Sequence, residues 1–146
     1  MVCSKSFGYA LRGILYVALL SDQKPRIQVE EMAKKLSVPK HYLGKIMKQV
    51  VKEGILTSVK GPYGGFSINK NTLSTPLIKL YKITDGLDQF NKCVLNLRKC
   101  NASRPCPMHL QIEANRRDWI EIFSKTLISD LLNKEEPNFI KGLSAI

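Results

Sequence analysis

The stretch Ser37 to Lys70, SVPKHYLGKIMKQVVKEGILTSVKGPYGGFSINK, holds a helix start, an amphipathic helix, a stop and a glycine-punctuated hairpin in unbroken succession. Pro39 suits a first helical turn, where a missing backbone N–H costs nothing, which leaves Ser37 or Val38 for the capping position. At about 100° per residue, Leu43, Ile46, Met47 and Val50 share one face, and His41, Lys45, Lys48 and Lys52 line the opposite one. Gly54 then ends the helix as a left-handed C-terminal cap would. Two short β-branched or aromatic runs follow, Ile55 to Val59 and Phe66 to Asn69. They flank a tight tip of Lys60, Gly61, Pro62, Tyr63, Gly64 and Gly65, which is the pattern of a hairpin.

Working outward, Val29, Met32, Ala33 and Leu36 repeat at helical spacing, so a short helix precedes the cationic one across a tight turn. Helix, turn, cationic helix and hairpin in this order make a winged helix-turn-helix. A row of lysines opposite an apolar stripe is, standing alone, an ordinary solvated helix face. Here the turn, the hairpin and the sign bias arrive together, and the reading becomes DNA binding. The second helix is expected in the major groove, with the hairpin, or wing, along the neighbouring backbone. Lys40, Lys45, Lys48, Lys52 and Lys60 would neutralise phosphates, while His41, Tyr42 and Lys45 approach base edges. A winged-helix module that binds protein and not DNA is the rival from another class.

Charge distribution agrees. Of the formal net charge of +11, residues 1–86 carry 14 Lys and Arg against 5 Asp and Glu, and residues 87–146 carry 9 against 7. The excess lies with the helix-turn-helix, where phosphate contacts need it. A hydrophobic content of 44% over 146 residues describes a globular chain with room for a sizeable core. The apolar run Gly13 to Leu20 is far below the roughly 20 residues of a membrane span. No A-x-A cleavage pattern follows it, and Phe7, Leu11, Ile14, Leu15, Ala18 and Leu19 recur at helical spacing. The run therefore reads as part of a buried first helix from about Ser4 to Leu20, with no membrane partner. Four cysteines are too few for a disulfide scaffold, and a reducing cytoplasm is the expected home.

Past the wing, a polar joint at Asn71 to Pro76 leads into a short fourth helix, Leu77 to Asp85, ended by Gly86. From Leu87 to Pro107 periodicity is lost. From Met108 to Leu132 a long helix is expected, with Ile112, Trp119, Ile120, Phe123, Leu127, Ile128, Leu131 and Leu132 spread over more than half its circumference. A helix that apolar suits both its own core and a second copy of the chain, so a homodimer reading two half-sites is expected. The organisation is thus a mainly α chain with a small β-hairpin. Residues 1–86 form the winged helix-turn-helix, 87–107 a cysteine-containing sensor loop, 108–133 a dimerisation helix and 134–146 a frayed tail.

Cys93, Cys100 and Cys106 are separated by six and five residues, and His109 follows Cys106 by three. Thiolates and imidazole are ligands for iron-sulfur centres and for zinc. Zinc ribbons bring cysteines in pairs two to four residues apart, a pairing absent here, which leaves an iron-sulfur centre ahead. Arg98, Lys99 and Arg104 between the cysteines would favour thiolate over thiol. Small buried hydrophobes, or a metal-free redox thiol set, are the other readings. Cys3 lies outside the group and reads as a plain thiol.

With wing and cysteines both in hand, the chain resembles the Rrf-two family of bacterial transcription regulators, whose branches include the IscR, NsrR and CymR types. The resemblance rests on YALRGILYVAL, on HYLGKIMKQVVKEGIL followed by SVKGPYGGF, on ITDGL, and on C-x6-C-x5-C-P-M-H. It implies a dimeric winged helix-turn-helix on operator DNA, with His41 and Tyr42 contacting DNA and Gly61, Gly64 and Gly65 shaping the wing. It also implies that Cys93, Cys100, Cys106 and His109 ligate a cluster, 2Fe-2S ahead of 4Fe-4S. Gly8 stands where NsrR-type chains carry an acidic ligand, and Gly44 where IscR-type chains carry a glutamate that helps choose the operator. The first two cysteines are one residue further apart than in IscR-type chains.

The function expected is a dimeric repressor sensing redox state, nitric oxide or iron-sulfur status, with a cluster-free regulator governed by thiol oxidation or a protein partner as the alternative. An enzyme is not expected. There are only two histidines, no H-E-x-x-H and no G-x-S-x-G, and GPYGGF lacks the Lys-Ser/Thr of a phosphate-binding loop.

Overall fold

The computed structural model describes residues 3–132 and 142–143. The first helix, α1 (Lys5–Leu19), opens on Ser4, whose hydroxyl accepts from the Phe7 amide at 3.2 Å. It is the central post of the fold. Ala10, Ile14, Leu15 and Val17 are buried, and Gly13 lets it lie close on the next two helices. A β-carbon at Gly13 would meet the Met47 and Met32 sulfurs at 2.9 and 3.1 Å. Those helices are α2 (Val29–Leu36) and α3 (Lys40–Lys52).

The turn between them departs from expectation. Pro39 is itself the N-terminal cap of α3, with no side-chain capping bond. Ser37 closes α2 instead, at φ 54°, and the Val38 amide reaches back to the Ala33 carbonyl at 3.0 Å. The turn is thus made by a left-handed C-terminal closure, a role usually given to glycine. At the far end of α3, Gly54 takes φ 79°, its amide bonds to the Val51 carbonyl at 2.9 Å, and Ile55 bonds to Val50 at 3.1 Å. That pair of bonds satisfies carbonyls the helix end would otherwise leave open.

Strands β1 (Thr57–Val59) and β2 (Gly65–Ser67) pair antiparallel, with Ser58 opposite Phe66. They are shorter than the sequence runs. Ile55 and Leu56 dive into the core on leaving α3, and the Asn69 side chain bonds to the Gly54 carbonyl and the Thr57 hydroxyl at 3.1 and 3.2 Å where ladder bonds would have continued. The buried Thr72 hydroxyl donates to the Ile55 carbonyl at 2.6 Å, tying the exit of the wing to the end of α3.

Helix α4 (Leu77–Thr84) is followed by a 3₁₀ turn at Leu87–Asn91, then the cysteine loop, then α5 (His109–Lys125). The long C-terminal helix expected over 108–132 is not continuous. It stops at Thr126, and a separate turn, α6 (Ile128–Leu131), follows. Between them Leu127 bridges Pro76, with the Leu77 amide on the Thr126 carbonyl at 2.9 Å and the Ile128 amide on the Thr75 carbonyl at 3.0 Å. Asp130 accepts from the Leu127 amide at 2.8 Å, restarting the helix. Stacked and edge-on rings join α5 to the body: Phe123 lies 5.8 Å from Phe7 and 5.7 Å from both Tyr81 and Trp119, centroid to centroid. The tail expected over 134–146 lies outside the described residues except at 142 and 143. Among the described residues no helix is long and apolar enough to cross a membrane.

Candidate DNA-binding face and cysteine loop

On α3 the apolar stripe Leu43, Ile46, Met47 and Val50 is buried, and this fixes the opposite face outward. His41, Lys45, Lys48 and Lys52 are all exposed. They form a single row roughly 16 Å long at a rise of 1.5 Å per residue. Among the described residues none of these three lysines has a carboxylate within ion-pair distance. Lys40 differs, since its ammonium lies 2.7 Å from Glu30 of α2. That contact holds the Glu30 carboxyl below its ordinary value, chiefly through the hydrogen bond from Lys40. Tyr42 is also engaged: its hydroxyl is 2.8 Å from the Ser6 hydroxyl, and its ring meets Tyr9 edge-on at 5.7 Å.

The wing stands beside this row. Gly64 and Gly65 are required for separate reasons. A β-carbon at Gly64 would lie 2.0 Å from the Val59 carbonyl oxygen, and Gly65 sits at φ 137° with the Ile27 carbonyl 2.6 Å from where its β-carbon would be. The close approach at Gly65 admits Ile27 as a third strand position, with mutual bonds to Phe66 of 2.9 and 2.8 Å. Gln28 donates to the Pro62 carbonyl at 2.7 Å and pins the tip against the start of α2. Tyr63 then projects from a fixed support, 88% exposed. Between wing and helix lies an open groove of about 650 Å³ lined by Lys48, Lys60, Ser58 and Glu30 among others. Ile27 and Gln28 escape a reading based on periodicity, because both lie between the loop and the first periodic residue of α2.

The cysteine loop is built differently. The Cys93 thiol lies among backbone N–H groups, those of Leu97 and Arg98 contributing most, and they hold it below the ordinary thiol value. The Cys100 sulfur is 3.3 Å from His109 Nδ1. The Arg116 guanidinium donates to the same sulfur at 3.5 Å and, through its other amino group, to the Lys92 carbonyl. Cys106 lies at the foot of α5, its carbonyl accepting from the His109 amide at 2.9 Å. Cys93 and Cys100 line one open cavity of about 740 Å³ with Arg98 and Lys99. Of the four expected ligands, then, Cys100 and His109 are in contact, and among the described residues no three His, Cys, Asp or Glu side chains converge to hold a metal ion. Cys3 stands apart, its thiol pushed up to about 11 by burial and by Asp85.

A buried apolar stripe, an exposed cationic row and a pinned wing define a winged helix-turn-helix DNA-binding regulator. A family profile described as an iron-dependent transcriptional regulator, Rrf2, matches residues 3–134, and the chain belongs to the Rrf2 family. A helix-turn-helix-type transcriptional regulator of Aquifex aeolicus is 34% identical over 138 residues, covering 93% of this chain and 94% of that protein. IscR of Vibrio campbellii is 26% identical over 125 residues, 86% of this chain and 68% of that protein. The structure of CymR, the global cysteine regulator of B. subtilis, superposes with a TM-score of 0.72 at 18% identity, over 90% of this chain and 95% of that one. That of T. potens IscR does so with 0.70 at 15%, over 94% and 90%. These two likenesses concern the fold.

Proposed function

We propose that this regulator works as a homodimer whose cysteine loop governs how its two recognition helices meet an operator. The observation that carries the DNA half is the row His41, Lys45, Lys48 and Lys52, exposed along one helix beside the wing bearing Lys60, Gly61, Tyr63, Gly64 and Gly65. Phosphates draw the lysines in, and His41 stands at the N-terminal end of α3, where recognition helices reach base edges. Lys40 joins this set by exchanging Glu30 for phosphate. Tyr42 orients the start of α3 against α1 and contacts DNA with its ring edge. Dimerisation is supported by α5, which buries Phe123 in its own chain and leaves Trp119, Ile120 and Ile122 exposed. Residues 1–86 are the reading module, 87–107 the sensor loop and 108–133 the pairing segment.

The loop's donor set of Cys93, Cys100, Cys106 and His109 fits an iron-sulfur centre in kind. Cys100 and His109 already meet, and Cys93 faces the same cavity as Cys100. When bound, a centre of this type, 2Fe-2S ahead of 4Fe-4S, supplies a redox or ligand-exchange signal. The chain's own part is to bring Cys93 and Cys106 toward the Cys100–His109 pair and to pass the resulting order of the loop into α5. A second reading, thiol oxidation without metal, is supported by the spread of the three sulfurs and by the lowered Cys93 thiol.

One experiment separates the two. Protein purified without oxygen is analysed for visible absorption, iron and sulfide beside a Cys93→Ala, Cys100→Ala, Cys106→Ala variant, and both are used to select duplexes from a random pool. Absorption lost in the variant, with selection of a two-fold duplex by the wild type, is expected. A colourless wild type that still selects the duplex moves the function to the thiol reading, and no selection overturns the DNA reading.

A further inference from the structure

Arg116 is the element of the loop region that neither charge nor periodicity singles out. Its side chain is only 12% exposed on a helix otherwise largely open to solvent. Three neighbours share its guanidinium: the Cys100 sulfur, the Lys92 carbonyl, and Glu113 one turn earlier with a carboxylate oxygen 3.7 Å away. Lys92 and Cys100 are the two ends of the loop segment that contains Cys93. One side chain of α5 therefore staples both ends of that segment to the helix. Arg116 shares the lining of one cavity with Tyr81, Phe90 and Trp119.

We infer that Arg116 is a positioning residue that fixes the Cys100 sulfur relative to α5, so that the helix start and the loop order together. The inference rests on the reading of residues 87–107 as a sensor loop. A guanidinium suits the task because two of its donors lie in one plane at fixed separation, and a sulfur and a carbonyl can be held at once. When the Cys100 thiolate attacks a small-molecule disulfide, a new S–S bond forms, the old one breaks and the other half leaves as thiolate, and the Cys100 sulfur becomes a poorer acceptor and a bulkier one. The fork then keeps Glu113 and Lys92 and gives up Cys100. The state of one sulfur thereby becomes the state of a helix end.

The test is a double-mutant cycle on the full chain, reduced and metal-free, read by amide hydrogen exchange. Arg116→Gln and Cys100→Ala are each expected to raise exchange about ten-fold in two places, residues 92–100 and the first turns of α5 at 109–113. The double variant is expected to fall well short of the product of the two single effects, since both remove the Arg116–Cys100 bond, while the His109 and Lys92 contacts are each lost in one variant alone. Pairing Arg116→Gln with Cys93→Ala is expected to give effects that multiply, since Arg116 does not touch Cys93. Arg116→Lys, which keeps charge and loses the fork, should restore less than half of the protection, and unchanged exchange in α1 verifies the fold. Multiplying effects of Arg116→Gln and Cys100→Ala, or full rescue by lysine, overturn the inference. If the cycle behaves as expected while operator affinity is the same in all variants, Arg116 positions Cys100 and the sensor reading of the loop falls.

Discussion

Between Gly54 and Pro76 the backbone is held from several sides at once, whereas between Lys92 and Met108 it is held at a few points. In the first region the Thr72 hydroxyl and the Asn69 side-chain amide tie the exit of the wing to the end of α3, and the Ile27–Phe66 pair ties its second strand to the chain before α2. Across the second, no residue is buried, and the order comes from local turns such as Asn96 to Cys93 and from the grip of Arg116. Stability is unevenly shared in such a molecule, and the elements that open first are those with the fewest buried contacts. A DNA-reading surface gains from rigidity, because lost freedom on binding is then small. On the sensor reading proposed above, a loop that rearranges around a ligand or an oxidant gains from the opposite property.

The sharpest way to break this contrast is to remove volume from each region. Met47→Ala, at a fully buried site between α1 and α3, is expected to cost about 2–5 kcal/mol. Val94→Ala, on an exposed loop position, should stay within about 0.5 kcal/mol. Denaturant midpoints measure both, and equal shifts would mean that the loop is part of the cooperative core. A smaller effect is expected at the surface of α3. Lys48→Ala should leave the midpoint unchanged while lowering the slope of log affinity against log salt by about one, for all duplex sequences alike. An unchanged slope would remove Lys48 from the interface.

The finest distinction concerns the thiols. Cys93 is held below its ordinary value by backbone N–H groups, and Cys3 is raised to about 11 by burial and Asp85. With metal-free protein near neutral pH, iodoacetamide should therefore label Cys93 at least about ten-fold faster than Cys3, as mass spectrometry would quantify. Because the folded Cys3 value lies above the ordinary 9.0, its contribution to stability is complete below pH 9 and is lost as pH rises through about 11. Equal labelling would show that the N–H groups around Cys93 do not hold the thiolate.

Legibility in the sequence follows the same divide. The stripe and the cationic row of α3 could be read because burial there obeys one period over 13 residues. Lys40 and Tyr42 have the right exposure but engage Glu30 and Ser6, contacts that depend on which helices lie alongside. The break at Thr126 was hidden, since Leu127, Ile128, Leu131 and Leu132 continue an apolar pattern without interruption; the signal present was Asp130, placed to cap the restart. Arg116 was hidden by its charge, which ordinarily marks a solvated position. Its register was informative all the same. His109, Arg116 and Phe123 are spaced by seven, so they lie along one face that runs from the cysteine loop to the aromatic core.

That break also gives α5 the mechanics of a lever. The helix has 17 residues, a length of roughly 25 Å. Its far end carries His109, and its near end is clamped at Thr126–Ile128 to the strip from Thr75 to Leu77. A tilt of about 5° about that fulcrum would carry His109 through some 2 Å, given the same helix length. Read in the other direction, a displacement of that size at the loop arrives at the fulcrum as a torque on the strip just beyond Thr72, whose hydroxyl ties the exit of the wing to the chain leaving α3.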